Sequence, residues 1–189
     1  MPPHYNPEHV LDTALNAISA GPDWRPVLDE LPVPIYTTDQ AGRVTYWNEA
    51  CVAFAGRQPS LDSDHWRVTW QLFTTNGDPL AHSECPMAVA IKEKKPVRNA
   101  IAIALRPDGS RVAFRAYPTP LFDDEGLLTG AVNMLADVSQ EQAKALQAQA
   151  EHCRRLADST FDPKTTRVLA DMAESFDRTA RELERNASA

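Results

Sequence analysis

Residues 31–48, LPVPIYTTDQAGRVTYWN, constrain the fold more than any other stretch. Ile35, Tyr36, Thr37 and Thr38 are β-branched or aromatic, the types that suit a pleated strand. Asp39-Gln40-Ala41-Gly42 follows, an acidic opener with a glycine three residues on, which is turn chemistry. Residues 44–47 resume the strand pattern, and Asn48 stands where its side chain can cap a following helix. The stretch is a strand, a tight turn and a second strand.

Helices are expected on either side of this hairpin. Asn6-Pro7 is a cap-plus-proline start, and Val10, Leu11, Ala14, Leu15, Ala17 and Ile18 give one apolar face. Gly21-Pro22 stops that helix, and residues 24–31 form a short segment leading into the hairpin. After Asn48 a short helix ends at Gly56, and a second, starting near Ser83 and Pro86, carries Met87, Ala90 and Ile91 on one face. Three strands follow at residues 97–105, 111–117 and 127–136, separated by Pro107-Asp108-Gly109 and Asp123-Asp124-Glu125-Gly126. Five strands with helices inserted after the second predict an α+β domain, an antiparallel sheet with helices on one face.

Beyond residue 138 the pattern turns helical. Ser139 and Gln142 have capping-box spacing. Ala143, Leu146, Ala150, Cys153 and Ala157 make one seam, and Asp162-Pro163 opens a second helix with Leu169, Ala173, Phe176, Ala180, Leu183 and Ala187. The chain divides into an N-terminal helix and linker (1–27), a sheet domain (28–138) and a helical hairpin (139–189). The hairpin's alanine-rich seams bury little each and should pack against either a partner copy or the sheet domain.

Of the 189 residues 43% are hydrophobic, enough for a packed core, and the net charge is −7. No basic stripe suits nucleic acid; Lys92, Lys94 and Lys95 read as a solvated helix end. Three scattered cysteines, Cys51, Cys85 and Cys153, fit a reducing cytoplasm. No signal-peptide pattern and no apolar run of about 20 residues points to a membrane.

The motifs then fall into a known order. The Asp39–Gly42 turn, Asn48 and Gly56 come first, followed by Asn76-Gly77-Asp78-Pro79, Cys85-Pro86-Met87-Ala88 and Arg106-Pro107-Asp108-Gly109. Pro120-Leu121, residues 124–130 and Asp137-Val138-Ser139 close the series. In that order and spacing the chain resembles a PAS domain over about 110 residues. The resemblance implies a five-stranded antiparallel sheet, order 2-1-5-4-3, cupping helices around a small apolar cavity. It also implies a sensory or regulatory role without catalysis, through a small ligand or a dimer that relays strain to a C-terminal helix. The family's flavin photosensors carry a reactive cysteine in an Asn-Cys-Arg-Phe-Leu-Gln helix that nothing here matches. Its haem sensors place a histidine on the helix that here covers residues 84–94 and has none. The cofactor therefore stays open, with a haem or flavin sensor as the alternative reading.

On this fold the residues expected at the cavity are Tyr36, Phe54, Trp66, Trp70, Met87, Ile91, Ile103, Asn133 and Leu135. Trp47, Trp66 and Trp70 either line a pocket or fill the core. Asn133 shares a strand face with Ala131 and Leu135. If that face is the inner one, its amide must be hydrogen-bonded, to a ligand, ordered water or core groups; the alternative is a surface position. His82-x-x-Cys85 has a spacing a metal could use, but lacks further ligands with motif context. His152 on the hairpin is the one candidate for histidine phosphotransfer, without the flanking motif of a phosphoacceptor. Val132 and Met134, opposite the Asn133 face, also require cover. A homodimer through Val10, Leu11 and Leu15 of the first helix with Val132 and Met134 is expected; the alternative is that the helix folds back on its own sheet. A signalling protein is the further partner expected, through the C-terminal helices.

Overall fold

A computed structural model describes residues 6–61 and 63–187, and side chains to residue 185. Seven strands form one sheet: β1 (Ile35–Asp39), β2 (Val44–Trp47), β3 (Gln71–Phe73), β4 (Ala100–Leu105), β5 (Arg111–Ala116), β6 (Thr119–Phe122) and β7 (Leu128–Asp137). Their order is β2-β1-β7-β5-β4-β3, with β6 also on β7 and each pairing antiparallel. The expected 2-1-5-4-3 order is present within it. Two short strands were not foreseen: β3, which adds an edge beside β4, and β6, which continues β5 along β7 after the break at Tyr117-Pro118. Proline lacks the N–H a continuous ladder needs, so the strand divides there.

The opening hairpin forms as its residues dictate. Asp39 accepts bonds from the main-chain N–H groups of Ala41 and Arg43, both at 2.9 Å, and from the Arg43 guanidinium at 2.8 Å. Gly42 takes φ +86°, and Trp66 lies directly on it: a Cβ there would stand 2.4 Å from the indole.

Both sheet faces are covered. Helices α3 (Glu49–Ala55) and α4 (Pro86–Glu93) close the inner face over Tyr36, Ala102, Ala104, Val112, Phe114, Ala116, Ala131 and Leu135. On the outer face α1 (Pro7–Ser19) and α2 (Arg25–Asp29) cover Ile35, Tyr46, Val132, Met134 and Ala136. The hairpin of α5 (Ser139–Ser159) and α6 (Pro163–Ala187) covers the rest of that face, burying Ile103 and Ala113 against Ala143, Leu146, Ala180 and Leu183. These contacts occupy the residues expected at a dimer interface. Leu11, Val132 and Met134 are each 3% exposed or less and packed within one chain, with Val10 and Leu15 at the margin of the same cluster. The first helix folds back on its own sheet, because one amphipathic helix is wide enough to cover the apolar outer edge of β7 and β1.

Two caps are placed differently from expectation. Asn6 and Asp162 cap α1 and α6 as read, through Glu8 N–H at 3.0 Å and Thr165 N–H at 3.0 Å. Asn48 does not cap α3 with its side chain. Its Oδ1 accepts from Ile35 N–H at 3.0 Å, and its Nδ2 donates to the carbonyls of Leu28, Leu31 and Val33 at 3.1, 3.3 and 2.9 Å. Ser139 makes no capping box either: its Oγ accepts from Ala113 N–H at 3.0 Å, fastening the start of α5 to β5. Arg115 and Arg111 reach Glu141 and Glu182 at 2.8 and 3.3 Å, so the arginines of β5 face the hairpin while Val112 and Phe114 face inward.

Candidate functional site: the inner cavity

The inner face of the sheet meets α4 and the 66–72 segment around a cavity of about 10 Å³. Its polar corner comes from two directly paired strand residues, Tyr36 on β1 and Asn133 on β7. Asn133 Oδ1 accepts from Tyr117 N–H at 3.0 Å, and Asn133 Nδ2 donates to the Tyr36 hydroxyl at 3.0 Å. That hydroxyl donates to the Trp66 carbonyl at 2.9 Å. At the β5–β6 break, where Pro118 interrupts the strand, Tyr117 N–H is thus shared between the buried amide and the Met134 carbonyl, also at 3.0 Å. Burial, followed by the nearby Cys85, pushes the Tyr36 phenol well above its ordinary range, so it stays a neutral donor.

Trp66 holds a left-handed backbone, φ +66°, uncommon for a bulky residue. Its N–H donates to Gly42 O at 2.7 Å and its carbonyl takes the Tyr36 bond, so both ends are fixed. Leu135, Phe114 and Ala116 line the sheet side, and Cys85, Pro86 and Met87 the α4 side. The Thr69 hydroxyl is also buried at this wall and has no partner among the protein groups. The volume and that hydroxyl suit one water molecule.

Of the residues expected here, Tyr36, Trp66, Met87, Asn133 and Leu135 line the cavity. Phe54 and Ile91 belong to the apolar cluster behind it, Phe54 edge-on to Phe114 at 5.6 Å. Trp70 and Ile103 do not belong. Trp70 is 56% exposed, in a surface groove. Ile103 points outward under the C-terminal helices, since β4 turns its alanines, Ala102 and Ala104, inward. The alternation was legible in the sequence, but which face is inner depends on where the hairpin packs. Thr69, Leu72 and Phe114 were missed; Phe114 alone had a signal, the period-2 pattern of its strand.

A flavin or haem does not fit these residues. The cavity has room for a single water, and the side chains of Met87, Phe114 and Trp66 fill the rest of the cup. Neither inner thiol is activated. Burial pushes Cys51 up to about 12, and its thiol donates to Ile35 O at 3.3 Å. Burial likewise raises Cys85. His82 lies on the surface with Nε2 2.6 Å from the Arg67 guanidinium, and Cys85 meets it through the main chain, its N–H donating to the His82 carbonyl at 3.4 Å. Among the described residues no three His, Cys, Asp or Glu side chains gather as metal ligands, and no helix is long and apolar enough to cross a membrane.

Comparison with known proteins agrees with this architecture. A family model described as the PAS fold matches residues 28–143. A light-oxygen-voltage domain solved in a flavin-analogue study is 18% identical, with 71% of this chain and 98% of that chain covered and a TM-score of 0.50. The Rhodobacter sphaeroides LOV protein is 14% identical over 92% of this chain and 98% of its own, TM-score 0.48. An RNA-binding light-oxygen-voltage receptor is 16% identical, covering 100% of this chain and 41% of that one, TM-score 0.48. No curated protein matches the chain.

Proposed function

The chain belongs to the PAS fold family, and on that premise we propose that it is a non-catalytic sensory and regulatory module that passes changes at its inner cavity to a protein partner through the C-terminal hairpin. The observation that carries this reading is the course of β7. One strand places Asn133 and Leu135 at the cavity, then runs through Asp137 directly into α5. Beside it, β5 turns Phe114 to the cavity and Ala113 to the hairpin, where Ser139 Oγ holds its N–H. A shift of either strand therefore moves the base of the hairpin, because packed elements transmit displacement rather than absorb it.

The hairpin suits an output. Its base packs on the sheet, but from Ala150 and Cys153 outward its apolar contacts are helix to helix only. Beyond them Leu156, Phe161, Val168 and Met172 are exposed, which favours a protein partner at that end. The Tyr36 hydroxyl, the Asn133 amide and the Trp66 carbonyl at the cavity are bonded to one another, which supports the non-catalytic reading. A cytoplasmic location belongs to the same proposal, supported by three buried cysteines without disulfides.

Hydrogen exchange tests the relay. Leu135→Ala enlarges the cavity at one wall, and faster exchange is expected in residues 139–187 as well as around the cavity. A change confined to residues 28–138 rejects the relay.

A further inference from the structure

A second concavity lies outside the cup. Residues Arg57, Asp64, His65, Arg67, Trp70 and His82 border a surface groove of about 400 Å³, within the size range of small-molecule sites. Its charge arrangement is unusual for a chain with 26 acidic and 19 basic residues. Arg57 is paired with Asp64 at 2.7 Å, and these two charges cancel. Arg67 has no carboxylate partner among the described residues; its guanidinium instead donates to His82 Nε2 at 2.6 Å. Burial, then the Arg67 charge, pushes the His82 imidazole below its usual range, so it serves as a neutral acceptor. One unbalanced cation remains, half buried, with donors to spare for a planar fork of oxygens.

Two further observations point to a ligand. The Arg57 Nε at this groove is buried and lacks a partner among the protein groups. Trp70, three residues from Arg67, leaves more than half of its surface exposed at the groove's edge. An exposed indole offers a ring-stacking face at low entropic cost.

We propose that this groove binds a small aromatic monocarboxylate, its carboxylate on the Arg67 guanidinium and its ring on Trp70. A monoanion matches the single unbalanced charge; a dianion would carry one negative charge with no cation to meet it, since Arg57 is taken up by Asp64. Arg67 and Thr69 also line the inner cavity, so the ligand would rest on the cavity's outer wall, next to the strained backbone of Trp66. Binding at the groove stands whether or not the hairpin responds to it.

Calorimetric titration of the full chain with sodium benzoate tests the site, with benzyl alcohol as the uncharged ring and inorganic phosphate as the ringless anion. Saturable benzoate binding at millimolar concentration or below is expected, with both controls weaker by about tenfold or more. Arg67→Gln should weaken benzoate by about tenfold and Trp70→Ala by about fivefold, at unchanged melting temperature. Trp70→Ala alters an exposed side chain, so it remains informative should Arg67→Gln fold poorly. No saturation by roughly 20 mM benzoate, equal binding of benzyl alcohol, phosphate as tight as benzoate, or full affinity in folded Trp70→Ala would each overturn the proposal.

Discussion

Asn48→Ala and Asn48→Asp together separate two roles for one side chain. Asn48 is 1% exposed and holds four main-chain groups: Ile35 N–H and the carbonyls of Leu28, Leu31 and Val33. Its own N–H also donates to Ile35 O at 3.1 Å, so it occupies the place of the next ladder residue beside β1. Asn48→Ala leaves Ile35 N–H buried without a partner, at about 1–3 kcal/mol, and strips donors from carbonyls with few alternatives, adding roughly 1–2 kcal/mol. A loss of about 3 kcal/mol corresponds to about 6–12 °C in melting temperature for a chain of this size. Asn48→Asp should be worse at neutral pH. It keeps the acceptor for Ile35 but turns a second carboxylate oxygen, in place of the amide donor, toward three carbonyls. That burial raises the folded-state pKa of the new carboxyl above its unfolded value. The protonated form is the better tolerated, so stability is retained below the unfolded pKa, near 4, and lost as pH rises towards the folded value. Urea unfolding at pH 7 and pH 4.5 measures both effects. Were Asn48 only the cap of α3, aspartate would serve as well as asparagine and alanine would cost about 1 kcal/mol. Wild-type stability in Asn48→Asp at pH 7 would refute the role derived from these contacts.

Asn133→Leu removes one of the two acceptors of Tyr117 N–H, the Met134 carbonyl at 3.0 Å remaining, together with the donor to the buried Tyr36 hydroxyl, and should cost about 1–2 kcal/mol in urea unfolding. A neutral result would mean the β5–β6 break does not need the amide. Gly130→Ala places a Cβ 2.0 Å from Thr38 O, a main-chain atom that cannot swing aside, and should lower stability by about 3 kcal/mol or more; thermal melting checks it. Ser139→Ala should lower stability by about 1–2 kcal/mol and raise amide exchange at the start of α5, since Ala113 N–H loses its partner. Incubation with ATP should yield no phosphorylated protein; a label lost in His152→Ala would overturn the non-catalytic reading.

The sequence by itself determined the α-helices and five of the strands in their order, while the short β3 and β6 carry no comparable signal. Asp39 and Gly42 set the hairpin turn, Asn6 and Asp162 set helix starts, and alternation along β4 and β5 set which residues share a face. Each of these is a short-range preference, carried by residues within a few positions of one another. Tertiary structure decided which face is inward. Ile103 reads as readily as a cavity residue as a hairpin contact, and only the docking of α5 and α6 turns it out. The same holds for Val132 and Met134, whose cover is this chain's own first helix, packed on them from over a hundred residues away in sequence. Asn48 and Ser139 carry cap signatures that their local sequence supports. In the folded protein distant main-chain groups, from Leu28 to Ile35 and at Ala113, compete for those side chains and win. Buried polar groups must find partners wherever the chain brings them, and that requirement reassigns side chains whose local signal allows more than one use.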